Sequence, residues 1–326
     1  MITSLRLNND LPVHLLVDIA VAAEAGGFEQ VWVSNDLFLR SAPVILTQIA
    51  AATRTIRFGT GILNPYSMHP AEIAMLAATL QEVSGGRFLL GIAAGDADFL
   101  GWAGIDRPRP LSRTREAIVA IRTLLDGGRP GAPGWAEQAH LRCSPAPTPI
   151  YVGAMSPKML AMAGEYADGV LALLYPPEHF SVAREQVAAG VTSAGRHPAE
   201  VDVPACVWCS VDQDPGRARR ALADKIAYYG ASFAPYLLAR AGLRVADFAP
   251  VRAALEAGDA DRAAAMVTPK MLRLGIAGSP QDVIDRCRGL IDLGATHLSF
   301  GPPLGPDPVA AVDLLGRAVV PALRGA

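Results

Sequence analysis

Strand-like and helix-like segments alternate along nearly the whole chain, and few folds accept that pattern for so many units. Short apolar runs at 2–7 (ITSLRL), 28–34 (FEQVWVS), 55–63 (TIRFGTGIL), 87–95 (RFLLGIAAG), 149–154 (PIYVGA), 168–174 (DGVLALL), 201–211 (VDVPACVWCSV) and 296–302 (THLSFGP) read as eight strands. Each is followed by a helical pattern, and several of these helices open on a proline and stop at glycines, as in HPAEIAMLAATLQEVSGG. Eight strand-then-helix units with short connections predict an α/β fold of the TIM (β/α)8 barrel type, with insertions. A doubly wound sheet would need a G-x-G-x-x-G turn after the first strand, and none stands there. At 326 residues the chain is expected to form a single barrel domain over 1–326. Two segments fall outside the count: 128–149, a surface excursion before strand five, and 231–278, a mostly helical insertion before strand eight.

Composition removes several function classes. The formal charge is −2, with 29 basic residues against 31 acidic ones, so no global field favours nucleic acid or an anionic membrane. Polar residues occupy the N-terminus where a secretory apolar region would be, and no apolar run is long enough to span a bilayer. A cytoplasmic protein is expected, with a small-molecule partner. The four cysteines are too scattered for a disulfide framework. CVWC resembles a redox pair, but on a strand Cys206 and Cys209 face opposite ways, which predicts two packing thiols.

In a TIM barrel, chemistry sits where the strands end. The residues there are Ser34-Asn35-Asp36, Thr60 to Asn64, Ala94-Gly95-Asp96, Gly153 to Ser156, Leu174-Tyr175, Ser210 and Gly301 to Pro303. This mouth is rich in glycine and poor in bases. It contains no Ser-His-Asp set and no His or Cys cluster suited to a metal, so hydrolysis loses ground. Glycines let main chain approach a flat ligand closely, which points to a redox ring cofactor. Ser156-Pro157 reads as the N-cap and first residue of a helix, whose free N–H groups could hold an anion or simply be capped.

The motifs FGTGILNPYSMHPAEIAMLAATLQEVSGGRFLLGIAAGD, PIYVGAMSPKMLAMAGEYADGVL, GIAGSPQDVI and LSFGPPLGPDP resemble the bacterial luciferase-like superfamily. The likeness is nearest to its deazaflavin-dependent branch around methylenetetrahydromethanopterin reductase. It implies a TIM barrel, an oxidoreductase activity, and coenzyme F-420 (8-hydroxy-5-deazaflavin) as cofactor, or FMN as in other branches. It also implies a non-prolyl cis peptide at the end of strand three, here Gly61-Ile62, behind the deazaflavin ring. Carried over residue by residue, Asn35, Gly61, Ile62, Leu63, Asn64 and Gly95 line the ring with Asp96 beside them, while Gly153, Ala154, Met155 and Ser156 hold the ribityl-phosphate side. The acidic tail of the cofactor calls for cations, for which Lys158, Lys270 and Arg273 are candidates. Relatives of this kind are commonly homodimers or higher homo-oligomers.

Two departures bear on the substrate. The reductase carries a glutamate where this chain has Arg6, and Asp-His where it has Asn35-Asp36. An arginine supplies no proton, so a substrate other than the pterin is expected. Arg6 could hold an anionic group of the substrate or pair with Asp36 or Asp96. Asp96 is the leading general-acid candidate, because apolar neighbours would raise its pKa; an N-cap role is the alternative. Tyr175 is a candidate substrate contact, and His69 more simply begins a helix. The function expected is hydride transfer from reduced F-420 to a C=N or activated C=C, with an FMN-dependent monooxygenase or a non-catalytic cofactor-binding protein as alternatives.

Overall fold

The computed structural model describes residues 1–172 and 176–324. Nine parallel strands form one sheet: β1 (Ile2–Leu7), β2 (Gln30–Val33), β3 (Arg57–Thr60), β4 (Phe88–Ile92), β5 (Ile150–Gly153), β6 (Gly169–Leu171), β7 (Ala205–Val211), β8 (Ile276–Gly278) and β9 (His297–Leu304). Their order is β6-β5-β4-β3-β2-β1-β9-β7-β8. A parallel bridge between Gly169 and Asp202 joins β6 to the segment just ahead of β7 and completes the ring, with β8 lying outside it against β7. Eight of the strands are those the alternation predicts.

The ninth corrects that count. The 231–278 insertion ends in β8, which lies against the C-terminal half of β7 through the pairs Cys209 with Ile276 and Val211 with Gly278. A helix of its own follows β8. Within the insertion lie four short α-helices, and the segment 128–149 carries no helix or strand.

The helices that surround the sheet are α1 (Val13–Ala25), α2 (Ala42–Ala52), α3 (Pro70–Ser84), α4 (Ala97–Trp102), α5 (Pro110–Leu125), α6 (Pro157–Tyr166), α7 (Phe180–Ser193) and α8 (Pro215–Tyr229). The insertion contributes α9 (Pro235–Arg240), α10 (Ala249–Glu256), α11 (Ala260–Ala265) and α12 (Pro269–Leu272), and α13 (Pro280–Asp292), α14 (Pro308–Leu314) and α15 (Val320–Arg324) complete the chain. Among the described residues no helix is long and apolar enough to cross a membrane.

Side-chain alternation divides the interior into two layers. Leu5, Val31, Phe58, Phe88, Ile150, Val207 and Phe300 point outward into the apolar layer beneath the helices. The opposite faces of the same strands fill the barrel. There Trp32, Leu89, Tyr151 and Leu171 form a small apolar plug, with Ile62 packed on it.

Toward the N-terminal end the filling is polar. The Tyr151 hydroxyl donates to Asp202 at 2.9 Å, His297 Nδ1 pairs with the same carboxylate at 2.8 Å, and His297 Nε2 meets the Ser4 hydroxyl at 2.8 Å. Ser4 and Ser299 hydroxyls join at 2.8 Å, and Arg6 Nε donates to Ser299 Oγ at 3.2 Å. Ser4 and His297 are wholly buried, so this Ser-His-Asp chain has no access to a substrate and works as internal bracing. The two cysteines of CVWC face opposite ways as predicted: Cys209 joins the helix-facing core, whereas Cys206 lies outside it near Ser299. Both are free, and burial pushes both thiols up.

Candidate active site

The segment after β3 turns at once. Asn64 Oδ1 accepts from the Tyr66 and Ser67 N–H groups at 3.1 and 2.9 Å, and Pro65 follows it, so the chain folds back toward α3. His69 caps that helix, its ring accepting from the Ala71 N–H while Glu72 reaches back to the His69 N–H. Gly61-Ile62 is a non-prolyl cis peptide, as the resemblance implies. Ile62 directs its side chain onto the barrel plug. Leu63 does not reach the mouth: it is 1% exposed, packs beneath the helices, and ties β3 to β4 through Leu63 N–H to Gly91 O and Ala93 N–H to Leu63 O.

Gly61, Ile62 and Gly153 together make a low floor. A Cβ on Gly153 would stand 2.9 Å from the Ala93 Cβ and 3.2 Å from Ile62, so the packing of those two side chains requires a glycine there. Gly95 adopts a positive φ of 76° beside Asn64. Ala154 is buried beneath the helices, while Met155 is exposed, its carbonyl accepting from the Tyr236 hydroxyl of α9 at 2.9 Å. Ser156 caps α6, its hydroxyl accepting from the Met159 N–H, and Pro157 follows. A flat ring fits this floor of main chain and one aliphatic side chain, and the exposed start of α6 suits an anion joined to it. Asn35 lies at the rim, where its Oδ1 accepts from the Ala42 N–H and starts α2.

Of the two carboxylates expected to be catalytic, Asp96 takes the capping role that was its alternative. Asp96 is exposed and caps α4, its Oδ1 accepting from the Asp98 and Phe99 N–H groups at 2.8 and 3.2 Å. No apolar enclosure surrounds it. Asp36 is the enclosed one: burial pushes its carboxyl above the usual range, the Ser34 hydroxyl opposes this, and the charges of Asp96 and Asp10 add to it.

Arg6 pairs with neither acid. It is 6% exposed, donating from Nη2 to the Val207 and Ser299 carbonyls at 2.7 and 3.2 Å and from Nε to the Ser299 hydroxyl. Tyr175 lies outside the described residues. Lys158 and Lys270 are exposed, and Arg273 donates to Glu178 at 3.0 Å.

Lys225 on α8 is a candidate site residue that sequence patterning does not mark. Its ammonium lies 4.1 Å from the Tyr229 ring centroid and 5.7 Å from that of Trp208. Burial brings its pKa down to about 8, Asp10 and Asp36 oppose the shift, and Arg6 assists it. Lys225 and Tyr229 line a cavity of about 690 Å3 between α8, the loop after β1 and the end of β9. In the sequence, Lys225 is one charge on an amphipathic helix, and only the docking of α8 over the strand ends gives it a neighbourhood.

Comparison with known proteins agrees with this geometry. The family model for luciferase-like monooxygenases matches residues 4–297. A 5,10-methylenetetrahydromethanopterin reductase of Archaeoglobus fulgidus is 38% identical over 323 residues, covering 97% of each chain. An F-420-dependent glucose-6-phosphate dehydrogenase of Nakamurella multipartita is 29% identical over 338 residues, covering 95% of this chain and 92% of its own. The coenzyme F-420-dependent tetrahydromethanopterin reductase of Methanopyrus kandleri superposes with a TM-score of 0.92 at 30% identity, covering 98% of this chain and 99% of that one. On the strength of a match that runs from β1 into β9, the chain belongs to the luciferase-like monooxygenase family.

Proposed function

We propose that the protein is a coenzyme F-420-dependent oxidoreductase that passes a hydride between the reduced deazaflavin and the C=N or activated C=C of a small organic substrate. The observation that carries this reading is the side-chain-free floor of Gly61 and Gly153 beside Ile62, in a chain 38% identical over its length to a reductase of this branch. When bound, the deazaflavin supplies the hydride and the redox chemistry. Gly61, Ile62, Gly95 and Gly153 would provide the surface for the ring, and the start of α6 after Ser156 would receive the phosphate. Burial favours the protonated form of the half-buried Asp36 carboxyl, which makes it the candidate proton donor to the reduced substrate. Asp96 shapes the loop through its cap, and Asn35 fixes the rim.

Anaerobic turnover of reduced F-420 with a panel of imines, enones and pterins tests the activity. Acceptor-dependent oxidation of the cofactor is expected with an imine or enone. Oxygen-dependent turnover of FMN, or no turnover of either cofactor, contradicts it. We further place the whole chain in one barrel unit that works in the cytoplasm, where its four free cysteines suit a reducing compartment. Self-association through α2 and α3 accords with Val44 at 59% and Met75 at 57% exposure, and light scattering is expected to return a dimer mass or more.

A further inference from the structure

Arg6 is a buried cation whose partners are all neutral. Its hydrogen bonds end on two carbonyls and one hydroxyl, and no carboxylate among the described residues lies within ion-pair distance of it. A buried charge without a counter-charge is costly unless something completes it. Register puts this cation in the last layer beneath the mouth. Arg6 opposes Trp32 on β2, and since Leu5 opposes Phe300, Arg6 is level with Gly301, which in turn opposes Trp208. A Cβ on Gly301 would lie 2.5 Å from Arg6 Nη2, so that glycine makes the room the guanidinium occupies. The brace through Ser299, Ser4, His297 and Asp202 holds the Arg6 stem from below.

One further cation reaches the same sector. Lys225 stands over Tyr229 and beside Trp208, and lines the cavity that opens next to Pro302. Its ammonium and the Arg6 guanidinium both reach the Trp208–Gly301 pair, one over the Trp208 ring and the other in the space beside Gly301. Two cations, Lys225 on the cavity wall and Arg6 in the layer behind it, describe a receptor for a compact anion.

We propose that Arg6 and Lys225 form the anion-receiving end of the hydride-acceptor pocket, so that the substrate is an α-imino or α,β-unsaturated carboxylate. This rests on the F-420 reading above and narrows it. The carboxylate meets Arg6 and Lys225, which draw electron density from the adjacent double bond. One hydride, with its electron pair, forms a C–H bond at the electrophilic carbon as the π bond breaks. The π pair moves to nitrogen or to the α carbon, and the Asp36 proton completes the product. The substrate is reduced and the deazaflavin oxidised, each by two electrons.

The test compares a carboxylate with its neutral isostere. Isothermal titration of the full-length protein with benzoate and with benzamide, before and after loading with F-420, reads the anion site directly. Benzoate is expected to bind about tenfold more tightly than benzamide, as a charge-assisted pair should. Arg6→Gln should abolish the preference and Arg6→Lys should restore part of it. Equal binding of the two probes, or a preference that survives Arg6→Gln, overturns the proposal. If Arg6→Gln does not fold, Lys225→Gln decides: weaker benzoate binding supports the site, and unchanged binding refutes it. Should F-420 fail to bind while the Arg6-dependent preference persists, the cofactor assignment falls and the anion site stands. Should F-420 bind and the preference be absent, the reverse holds.

Discussion

Asp36 follows β2 and Asp96 follows β4, with β3 between them, yet their surroundings give them different work. Asp96 spends its carboxylate on two N–H groups of α4, so Asp96→Ala should lower stability by about 1 kcal/mol in urea unfolding and leave turnover within a few-fold. Asp36→Asn should instead reduce turnover by about 10²–10⁴-fold with little change in F-420 affinity, because it removes a proton and no ring contact. Its sign with pH follows from burial: a raised carboxyl pKa keeps the acid form present above the ordinary range, and that form is lost as pH rises through the raised value. Turnover should therefore fall on that alkaline limb in the wild type, and the limb should vanish in Asp36→Asn. Equal kinetic damage from both substitutions would contradict the division of roles. Both aspartates were visible from their places at strand ends. What enclosed one and exposed the other was not, because Asp10 and Lys225 reach Asp36 from distant parts of the chain.

At the scale of elements, the joint between α1 and β3 shows how a single side chain can set a connection. Glu24, in the last turn of α1, accepts from the backbone N–H groups of Arg54, Thr55 and Ile56 at 2.8, 2.6 and 2.9 Å, and from the Thr55 hydroxyl at 3.0 Å. Burial alone would raise its pKa, but these donors outweigh it and bring the value down to about 2. A depressed carboxylate pKa contributes stability above about 4.5, the unfolded value, and that contribution is lost as pH falls toward about 2. Glu24→Ala should cost about 1–2 kcal/mol at neutral pH, and acid unfolding should lose part of its steepness in that window. Unchanged acid unfolding would refute the clasp.

Long periodic elements such as α3 and α5 were legible because their apolar stripes repeat over several turns. The unit formed by β8 and α13 was not. A three-residue strand, Ile-Ala-Gly, carries no alternation to read, and α13 presents only Val283, Ile284, Cys287 and Leu290 to the core. Likewise α4 spans only six residues, and a capping aspartate before it resembles any acid after a strand.

For the molecule as a whole, the barrel depends on a polar brace as well as on its two apolar layers. His297 on β9 links Asp202 ahead of β7 to Ser4 on β1, and Tyr151 of β5 meets the same carboxylate. His297→Ala should destabilise the fold by about 2–4 kcal/mol in urea unfolding, since it leaves a carboxylate and a hydroxyl short of partners in a confined space. Such a variant should still bind F-420, because His297 lies near the opposite end of the barrel from Gly61 and Gly153. That separation of a braced N-terminal end from a glycine-lined mouth leaves the C-terminal face free for the ring proposed above. The direct test is a paired anaerobic absorbance titration of the purified full-length chain with F-420 and with FMN. Saturable F-420 binding at one equivalent per chain, about tenfold or more tighter than FMN, is the predicted result. Tighter binding of FMN, or no saturable binding of F-420, would contradict the assignment.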